Sequence, residues 1–469
     1  MGSKIIWAGV RLPLLVTAAL VAAPAARGST VAHGSGVSAA RVSQAAGSGC
    51  GGCGNGKTLS VLVGKNLVYA TLQQQWMRQM SSQFQQLTGA KVAWDTFNGS
   101  SDEQTRLQTS IVSGHGPDIF ALGTTFVPTA QSTNSFHTLT SADWTLAGGK
   151  SRFFSQQLTM AGSSSSKQIA VPFVMRPFAM VYNTALFKKA RISAPPQTWT
   201  QFVQDAKKMT NSSGGVYGTA IDPSDTFDPW KIWWTFARQM SGNFVSSDLK
   251  TATLNSAATQ QAVRFWFDWA TTYHIVDPHA MTWKAADVTR AFAGGKVGMY
   301  IMTTSSIVPT LAKSAVKGSY AFAPMPTVPY GMGQRPRGGV PASTIVSGDM
   351  MAVPEYSTVK DLAYRFINML TTTQNQLQYT KDFGDLPANT SAADRLAHSS
   401  ATDAAFIKAE QGASPTPFTG AWGPIEVTLA GVSSKLADEV ATGRYDPSHV
   451  APLLAQANVQ AQGQIQQGS

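Results

Sequence analysis

The chain has 469 residues, of which 13% are charged, about half the share usual for a soluble protein. The net charge is +11, but the basic residues are scattered along the chain, which excludes the clustered basic surface that nucleic acids require. Beyond the N-terminus, no apolar stretch reaches the roughly 18 residues of a membrane span, so the body of the chain is predicted to be soluble.

Residues 1–28 are predicted to be a secretory signal. Lys4 and Arg11 supply positive charge, Leu12–Ala23 forms a short apolar core, and positions 23–25 offer small residues for cleavage. A transmembrane anchor is the alternative, but the apolar core is short for a span and contains a proline. We therefore expect an exported protein, in the periplasm or on the extracellular face of the cell membrane.

Residues 29–57 are rich in Gly, Ser and Ala without periodicity, which predicts a flexible tether. The two cysteines of the chain, Cys50 and Cys53, lie in this segment. The small residues before Cys50 resemble a bacterial lipoprotein site, so Cys50 is a candidate lipid anchor, and a local disulfide with Cys53 is the alternative. Gly51–Thr58 also satisfies the P-loop spacing, but a strand follows it where a nucleotide-binding loop needs a helix, so we exclude nucleotide binding.

The folded body begins with alternating strands and helices. Thr58–Val63 and Lys91–Phe97 alternate apolar residues at strand spacing, and Asp118–Leu122 is a short apolar strand. Between the first two strands, apolar residues recur every three or four positions, which predicts an amphipathic helix that ends at Gly89. Ser100–Glu103 has the spacing of a capping box and predicts the start of a second helix. This order indicates a sheet with parallel strands.

The rest of the chain continues the pattern. Ile169–Tyr182 is an apolar run interrupted by two prolines, which predicts a strand that bends or a crossing between domains. A second capping box at Thr198 predicts a helix through Met209, and Val297–Met302 is a further strand. The chain after Pro387 is predicted to be mostly helical. These elements indicate two α/β lobes, with ligands expected at the carboxyl ends of strands.

No motif for catalysis or metal binding stands out. The chain has no HExxH, no GxSxG between a strand and a helix, and no calcium-loop spacing, so no cofactor or metal is expected. Aromatic side chains are prominent instead, because Trp230, Trp233 and Trp422 lie beside residues that end regular structure. Such a ring can stack on a sugar while polar side chains bond the hydroxyls, and packing in the core is the alternative. Trp230 and Trp422 are the preferred platforms.

Several short segments together resemble the extracellular solute-binding proteins of bacterial ABC importers, the family-1 group that includes the maltose-binding proteins. The resemblance spans roughly residues 58–455 and rests on the order and spacing of these segments. They are Gly116–Ile119, Ile169–Phe173, Val181–Asn183, Pro196–Phe202, Phe292–Met299, Ala323–Pro326 with Gly338 and Gly339, and Gly384–Pro387.

The resemblance implies an α/β, two-lobed periplasmic-binding-protein-like fold with a hinge and a ligand cleft between the lobes. The first lobe would be 58–172 plus 340–388, and the second 178–335 plus 390–455. The protein would be a monomer that closes on a small solute and delivers it to the membrane subunits of an ABC permease, without a catalytic step. The implied ligand contacts are Lys65, Asn66, Asn98, Ser100, Thr124, Thr125, Arg176, Asp228, Trp230, Trp233, Thr304, Ser305, Gly338, Gly339 and Trp422.

Two departures from the family bear on the ligand. Sugar binders of the family often place a tryptophan where this chain has Thr304 and Ser305, so a long maltodextrin is not expected. Arg176 stands where some relatives carry an acidic or neutral residue. It could pair with an anionic ligand, or brace the hinge through an internal ion pair, which we favour. We expect a sugar or small oligosaccharide; the alternatives are a phosphorylated, acidic or cationic solute, and a secreted carbohydrate hydrolase.

Overall fold

The computed structural model describes residues 49–226, 229–411 and 413–467. The predicted signal at 1–28 and the first part of the predicted tether lie outside these residues. Within the described ranges, no helix has the length and apolarity needed to cross a membrane.

The described chain folds into strands and helices that alternate through most of its length. The strands are β1 (Thr58–Gly64), β2 (Lys91–Phe97), β3 (Ile119–Gly123), β4 (Ala170–Met175), β5 (Ala179–Asn183), β6 (Tyr217–Thr219), β7 (Val297–Thr303), β8 (Tyr320–Ala323), β9 (Gly348–Ala352) and β10 (Leu386–Pro387). The α-helices are α1 (Ala70–Thr88), α2 (Ser100–Ser113), α3 (Val127–Ser132), α4 (Ser141–Leu146), α5 (Ser155–Thr159), α6 (Thr184–Lys189), α7 (Trp199–Met209), α8 (Pro229–Gln239), α9 (Ala257–Thr271), α10 (Ala285–Ala293), α11 (Val308–Leu311), α12 (Lys360–Leu370), α13 (Thr373–Phe383), α14 (Thr390–Ser399), α15 (Ala401–Gln411), α16 (Trp422–Ala441) and α17 (Val450–Gln467).

The first lobe is built around a six-stranded sheet with the order β10-β4-β9-β3-β1-β2. β1 pairs in parallel with β2 and β3, as the alternation of strands and helices predicts. β9 lies between β3 and β4 and runs antiparallel to both, so the chain returns to this sheet after building the second lobe. Apolar side chains pack on both faces of the sheet.

The second lobe is built around a four-stranded sheet with the order β6-β7-β5-β8. β6 and β7 are parallel, whereas β5 runs antiparallel to β7 and β8. The apolar run Ile169–Tyr182 is therefore a crossing between lobes, because β4 pairs in the first sheet and β5 in the second. The sequence allowed either a strand that bends or a crossing between domains, and the structure shows the crossing.

Helix α1 shows how the apolar pattern builds the first lobe. Trp76, Met80 and Phe84 recur every four residues and are buried on one face of the helix. Gly89 ends the helix with φ at 82°, a left-handed conformation that glycine adopts without strain, and its N–H donates to the Gln85 carbonyl at 2.8 Å. Both the helix and its predicted end are confirmed.

One of the two predicted capping boxes is present. Thr198 accepts the Gln201 N–H at 3.1 Å, and the Gln201 side chain bonds back to the Thr198 N–H, so α7 begins as predicted. At Ser100–Glu103 the prediction was wrong. Gly99 precedes α2 without a side-chain cap, the Ser100 hydroxyl donates to the Thr226 carbonyl, and Glu103 accepts a bond from another segment.

The helices after Pro387 divide between the lobes, which differs from the predicted boundary at residue 390. In α14 and α15, Ala393, Phe406 and Ile407 pack in the core of the first lobe. The later helices α16 and α17 pack in the second lobe through residues such as Leu429 and Leu454. The reason is that α14 follows β10 directly and stays beside the sheet that β10 joins.

The described end of the predicted tether packs against the body, contrary to the flexible segment expected there. The Gly54 N–H donates to the Thr88 carbonyl at 2.8 Å, and the Cys50 N–H donates to the Leu87 carbonyl at 3.2 Å. Both carbonyls lie in the last turn of α1, where backbone carbonyl groups accept no hydrogen bond within the helix. The segment therefore supplies the N–H donors that these carbonyl groups need.

Cys50 and Cys53 form a disulfide within this segment, with their Cα atoms 5.7 Å apart. A sulfur bound in a disulfide cannot also carry a thioether-linked lipid. Of the two possibilities for Cys50, the structure shows the disulfide with Cys53 and gives no support for a lipid anchor.

Removal of residues 1–56 is expected to destabilise the protein relative to a chain that begins at Gly49. The shorter chain loses the two bonds to α1 and the 3.2 Å bond from Arg365 to the Gly49 carbonyl, which together are worth about 1.5–4.5 kcal/mol. Thermal unfolding of the two chains measures the difference. Equal melting temperatures would mean that the segment does not stabilise the body.

Candidate ligand-binding cleft

A cavity of about 390 Å³ lies between the two lobes. The first lobe contributes loops at the carboxyl ends of β1 and β3, together with side chains of β4 and β9. The second lobe contributes the end of β7 and the first turns of α8 and α10. The carboxyl ends of parallel strands are where open α/β sheets bind ligands, and they are where we expect the ligand of this chain from its sequence.

Several of the predicted ligand contacts line this cavity. The Asn66 carboxamide accepts the N–H groups of Val68 and Tyr69 at 3.0 and 2.8 Å, so it shapes the loop before α1. The Thr124 hydroxyl bonds to the Val346 carbonyl at 3.3 Å. The predicted residues in the cavity wall are Lys65, Asn66, Thr124, Thr125, Arg176, Trp230 and Thr304.

Other predicted contacts do not line it. The Asn98 N–H donates to Asp102, and Ser305 is buried beneath the end of β7. Ser100 bonds across to the second lobe at Thr226, where it joins the lobes and does not face the cavity. Asp228 lies outside the described residues.

Gly338 and Gly339 also lie away from the cavity, contrary to the prediction. A Cβ on Gly338 would meet the Ser241 hydroxyl, and one on Gly339 would meet the Gln239 carbonyl. Both glycines therefore allow the loop before the second crossing to pack closely on the end of α8.

Trp233 and Trp422 are core residues, and their prediction as stacking platforms was wrong. Both side chains are fully buried, and neither lines the cavity. The Trp422 ring packs edge-on against Trp230 at 5.6 Å and stacks on Phe244 at 6.1 Å, while Trp233 packs against Trp266 at 5.9 Å. The Pro and Gly residues near these tryptophans mark helix starts that are themselves buried.

Trp230 is the predicted platform that does reach the cavity, although only 2% of its surface is exposed. Aromatic rings that the sequence did not select also line the wall: Tyr69, Trp76, Phe97, Phe126, Phe173, Phe178, Tyr300 and Tyr379. Several of these occupy the apolar positions of predicted strands and helices. Periodicity therefore indicated a core role and gave no signal of a cleft.

Arg176 both lines the cavity and holds an internal ion pair. Its guanidinium donates two bonds to the Asp349 carboxylate, at 2.6 and 2.8 Å, and one to Asp385 at 2.8 Å. Burial lowers the pKa of Arg176, but the charges of Asp349 and Asp385 outweigh it and raise that pKa well above its usual range. The side chain ties the start of the crossing after β4 to β9 and β10, which is the bracing role that we favoured.

Two buried carboxyl groups in the cavity wall were not predicted. Glu103 accepts the Gly123 N–H at 3.0 Å, and Glu426 lies on α16. Burial raises the pKa of Glu103 well above its usual range, with further upward shifts from the charges of Asp349 and Glu426. Burial also raises the pKa of Glu426 to about 8, although the Thr125 hydroxyl next to it lowers it.

The two lobes touch on either side of the cavity. The Tyr69 hydroxyl donates to the Ser306 carbonyl at 2.8 Å and lies 2.8 Å from the Thr310 hydroxyl. On another side, Ser100 donates to the Thr226 carbonyl at 2.8 Å. These bonds join loops of the first lobe to loops of the second, so they depend on the lobes being close together.

Comparison with known proteins places this arrangement in a family. A family model for the bacterial extracellular solute-binding protein matches residues 79–409. The chain is 24% identical over 366 residues to the diacetylchitobiose binding protein DasA of Streptomyces coelicolor, which covers 75% of this chain and 78% of the relative.

Solved structures share the architecture. An ABC transporter solute-binding protein from Thermotoga lettingae, bound with α-D-tagatose, has a TM-score of 0.72 at 18% identity and covers 87% of this chain and 100% of that one. Maltose-bound MalE3 of T. maritima has a TM-score of 0.71 at 15% identity and covers 86% and 99%. At these identities the likeness shows the fold.

The fold and the cleft define a two-lobed periplasmic-binding-protein architecture. The chain belongs to the bacterial extracellular solute-binding protein family, because the family model spans well over half of it. The resemblance inferred from short sequence segments is confirmed.

Trp422→Ala is expected to lower the free energy of unfolding by about 3–5 kcal/mol, because the ring is fully buried among other aromatic rings. Chemical denaturation followed by circular dichroism measures this. Trp283→Ala, at a partly exposed tryptophan of the same lobe, is the size-matched control and should cost less. A Trp422 variant as stable as the unsubstituted protein would contradict its place in the core.

Proposed function

We propose that this protein is the solute receptor of an ABC importer, which binds a sugar or small oligosaccharide between its lobes and delivers it to the permease subunits in the membrane. The observation that carries the proposal is the interlobe cavity, whose wall combines aromatic rings with hydroxyl and carboxyl groups. Sugars present both an apolar ring face and a set of hydroxyls, so they need both kinds of group.

The proteins similar to this chain support a carbohydrate ligand. DasA is described as a diacetylchitobiose binding protein, and the two similar structures hold tagatose and maltose. The cavity volume of about 390 Å³ is near the lower end of the roughly 300–1,000 Å³ usual for small-molecule sites, which favours a ligand of one or two sugar units. Thr304 stands in the wall where a further stacking ring would extend the site.

We infer that the protein works without catalysis, as a monomer, on the extracellular side of the membrane. The family supports extracellular binding of a solute. Among the described residues, no three His, Cys, Asp or Glu side chains are grouped to hold a metal ion. A secreted carbohydrate hydrolase remains the rival from another class, and release of products from incubated glycans would identify it.

Calorimetric titration with neutral mono- and disaccharides tests the proposed function. At least one sugar of the panel is expected to bind, and small-angle scattering should show a radius of gyration that is smaller with this ligand than without it. The reason is that a ligand touching both lobes favours the state in which they are close. Absence of binding across neutral, amino and acidic sugars would overturn the assignment to carbohydrates, and an unchanged radius at saturation would contradict closure.

Tyr69→Phe is expected to weaken ligand binding about two- to tenfold, because it removes the bond across the cleft to Ser306, worth about 0.5–1.5 kcal/mol. The radius of the unliganded protein should increase at the same time. Tyr356→Phe is the matched control, since its hydroxyl bonds to the Pro117 carbonyl at 2.9 Å within the first lobe. Equal effects of the two variants on affinity would show that the cross-lobe bond does not hold the closed state.

A further inference from the structure

The most deeply buried charged side chains of the cleft are all carboxyl groups. Within the described part of the chain, Glu103, Asp385 and Glu426 line the cavity with only 2%, 3% and 2% of their surface exposed. The cavity lysines at positions 65 and 284 are exposed, so water and salt screen their charge. The inner wall is therefore acidic although the chain as a whole is basic.

The cations of the inner wall do not balance these carboxyls. Arg176 bonds to both Asp349 and Asp385, so one positive charge serves two carboxylates. Lys231 is the cation that acts on Glu426, and the interaction of Glu103 with Glu426 and Asp349 is repulsive. Asp225 also lines the cavity, so five carboxyls share the wall with Arg176 and Lys231, and the exposed Lys65 and Lys284 lie further towards solvent.

The unliganded cleft can reduce this excess by holding protons. Burial and repulsion by neighbouring carboxyls raise the pKa of Glu103 well above its usual range, and burial raises the pKa of Glu426 to about 8. Glu426 therefore favours the neutral acid near neutral pH, and the pKa of Glu103 is shifted in the same direction. A cation bound beside Glu103 and Glu426 would lower the pKa of both carboxyls and favour their ionised forms. Its binding would then displace protons from the cleft.

Hydrogen bonding in the wall is also incomplete. Glu426 Oε1 and Asp385 Oδ1 are buried and have no hydrogen-bond partner among the described residues. A ligand that brings donors without acceptors suits such oxygens best. An ammonium group has three donors and no acceptor, whereas a hydroxyl has one donor and adds no charge.

We propose that the ligand carries a protonated amino group, as an amino sugar does, and that this group binds between Glu103 of the first lobe and Glu426 of α16. The inference rests on the proposed function and narrows its ligand class. Charge-assisted bonds to two carboxylates would make the amine, and not the sugar ring alone, the main determinant of specificity.

Matched ligand pairs test the proposal by calorimetric titration. Glucosamine is compared with glucose, and the β-1,4-linked glucosamine disaccharide with cellobiose, at about pH 6.5 where the amines are protonated. The amino member of at least one pair is expected to bind at least about tenfold more tightly. Titrations in buffers of different ionisation enthalpy should show proton release with the amino sugar and none with the neutral one.

Glu426→Gln and Glu103→Gln are expected to reduce the preference for the amino member about tenfold or more, and to reduce the proton release. The control is Glu439→Gln, on the same helix as Glu426 but outside the cavity wall. It should leave both the preference for the amino sugar and the proton release unchanged. Equal affinities within each pair, or a preference that survives both substitutions, would overturn the amino-group inference while leaving a sugar receptor intact. If no member of either pair binds, the inference falls, and the wider sugar panel decides the proposed function separately.

Discussion

The ion pair of Arg176 is the interaction on which the cleft depends. A guanidinium that is largely withdrawn from water is costly unless its charge and its donors are matched, and here the carboxylates of Asp349 on β9 and Asp385 just before β10 match them. Because Arg176 lies where the chain leaves the first sheet, the pair fixes the crossing next to β9 and β10. It also engages both oxygens of Asp349 and one oxygen of Asp385, whereas Glu103 and Glu426 do not bond to Arg176 and are the carboxyls that the proposed amino group would contact.

Aromatic packing and ligand binding share the same residues in this cleft. Trp230 lines the cavity with one part of its surface and packs on Trp422 with another. Trp422 in turn touches Phe244, deep in the second lobe. The cavity wall is therefore the exposed margin of a continuous aromatic core, and its rings are held in place by that core before any ligand enters. Such preorganisation reduces the ordering that binding must impose.

The sequence predicted local structure well where a single periodicity determined it. The strand Lys91–Phe97 and the helix from Thr198 to Met209 agree with the structure to within a residue, because alternation and a capping box are local signals. The family resemblance supplied the two-lobed fold and most of the loops that meet at the cavity. The sequence did not predict that α14 and α15 stay with the first lobe or that Trp422 is buried, since both depend on which distant surfaces the helices meet. The predicted capping-box role of Glu103 was wrong because its side chain accepts a hydrogen bond from Gly123, twenty residues away.

Helix α16 connects ligand recognition with the contact between lobes. At its start, the Gly423 N–H donates to the Thr129 hydroxyl at 3.2 Å, and a Cβ on Gly423 would lie 2.9 Å from that hydroxyl, so the absence of a side chain lets the helix approach the first lobe closely. Further along, Ser433 bonds to the Pro223 carbonyl, and the apolar face packs in the second lobe. Glu426 lies between these two ends, next to Thr125 of the first lobe. A ligand bound at Glu426 would therefore contact a helix that packs against both lobes, and such a contact favours the state in which the lobes are close together.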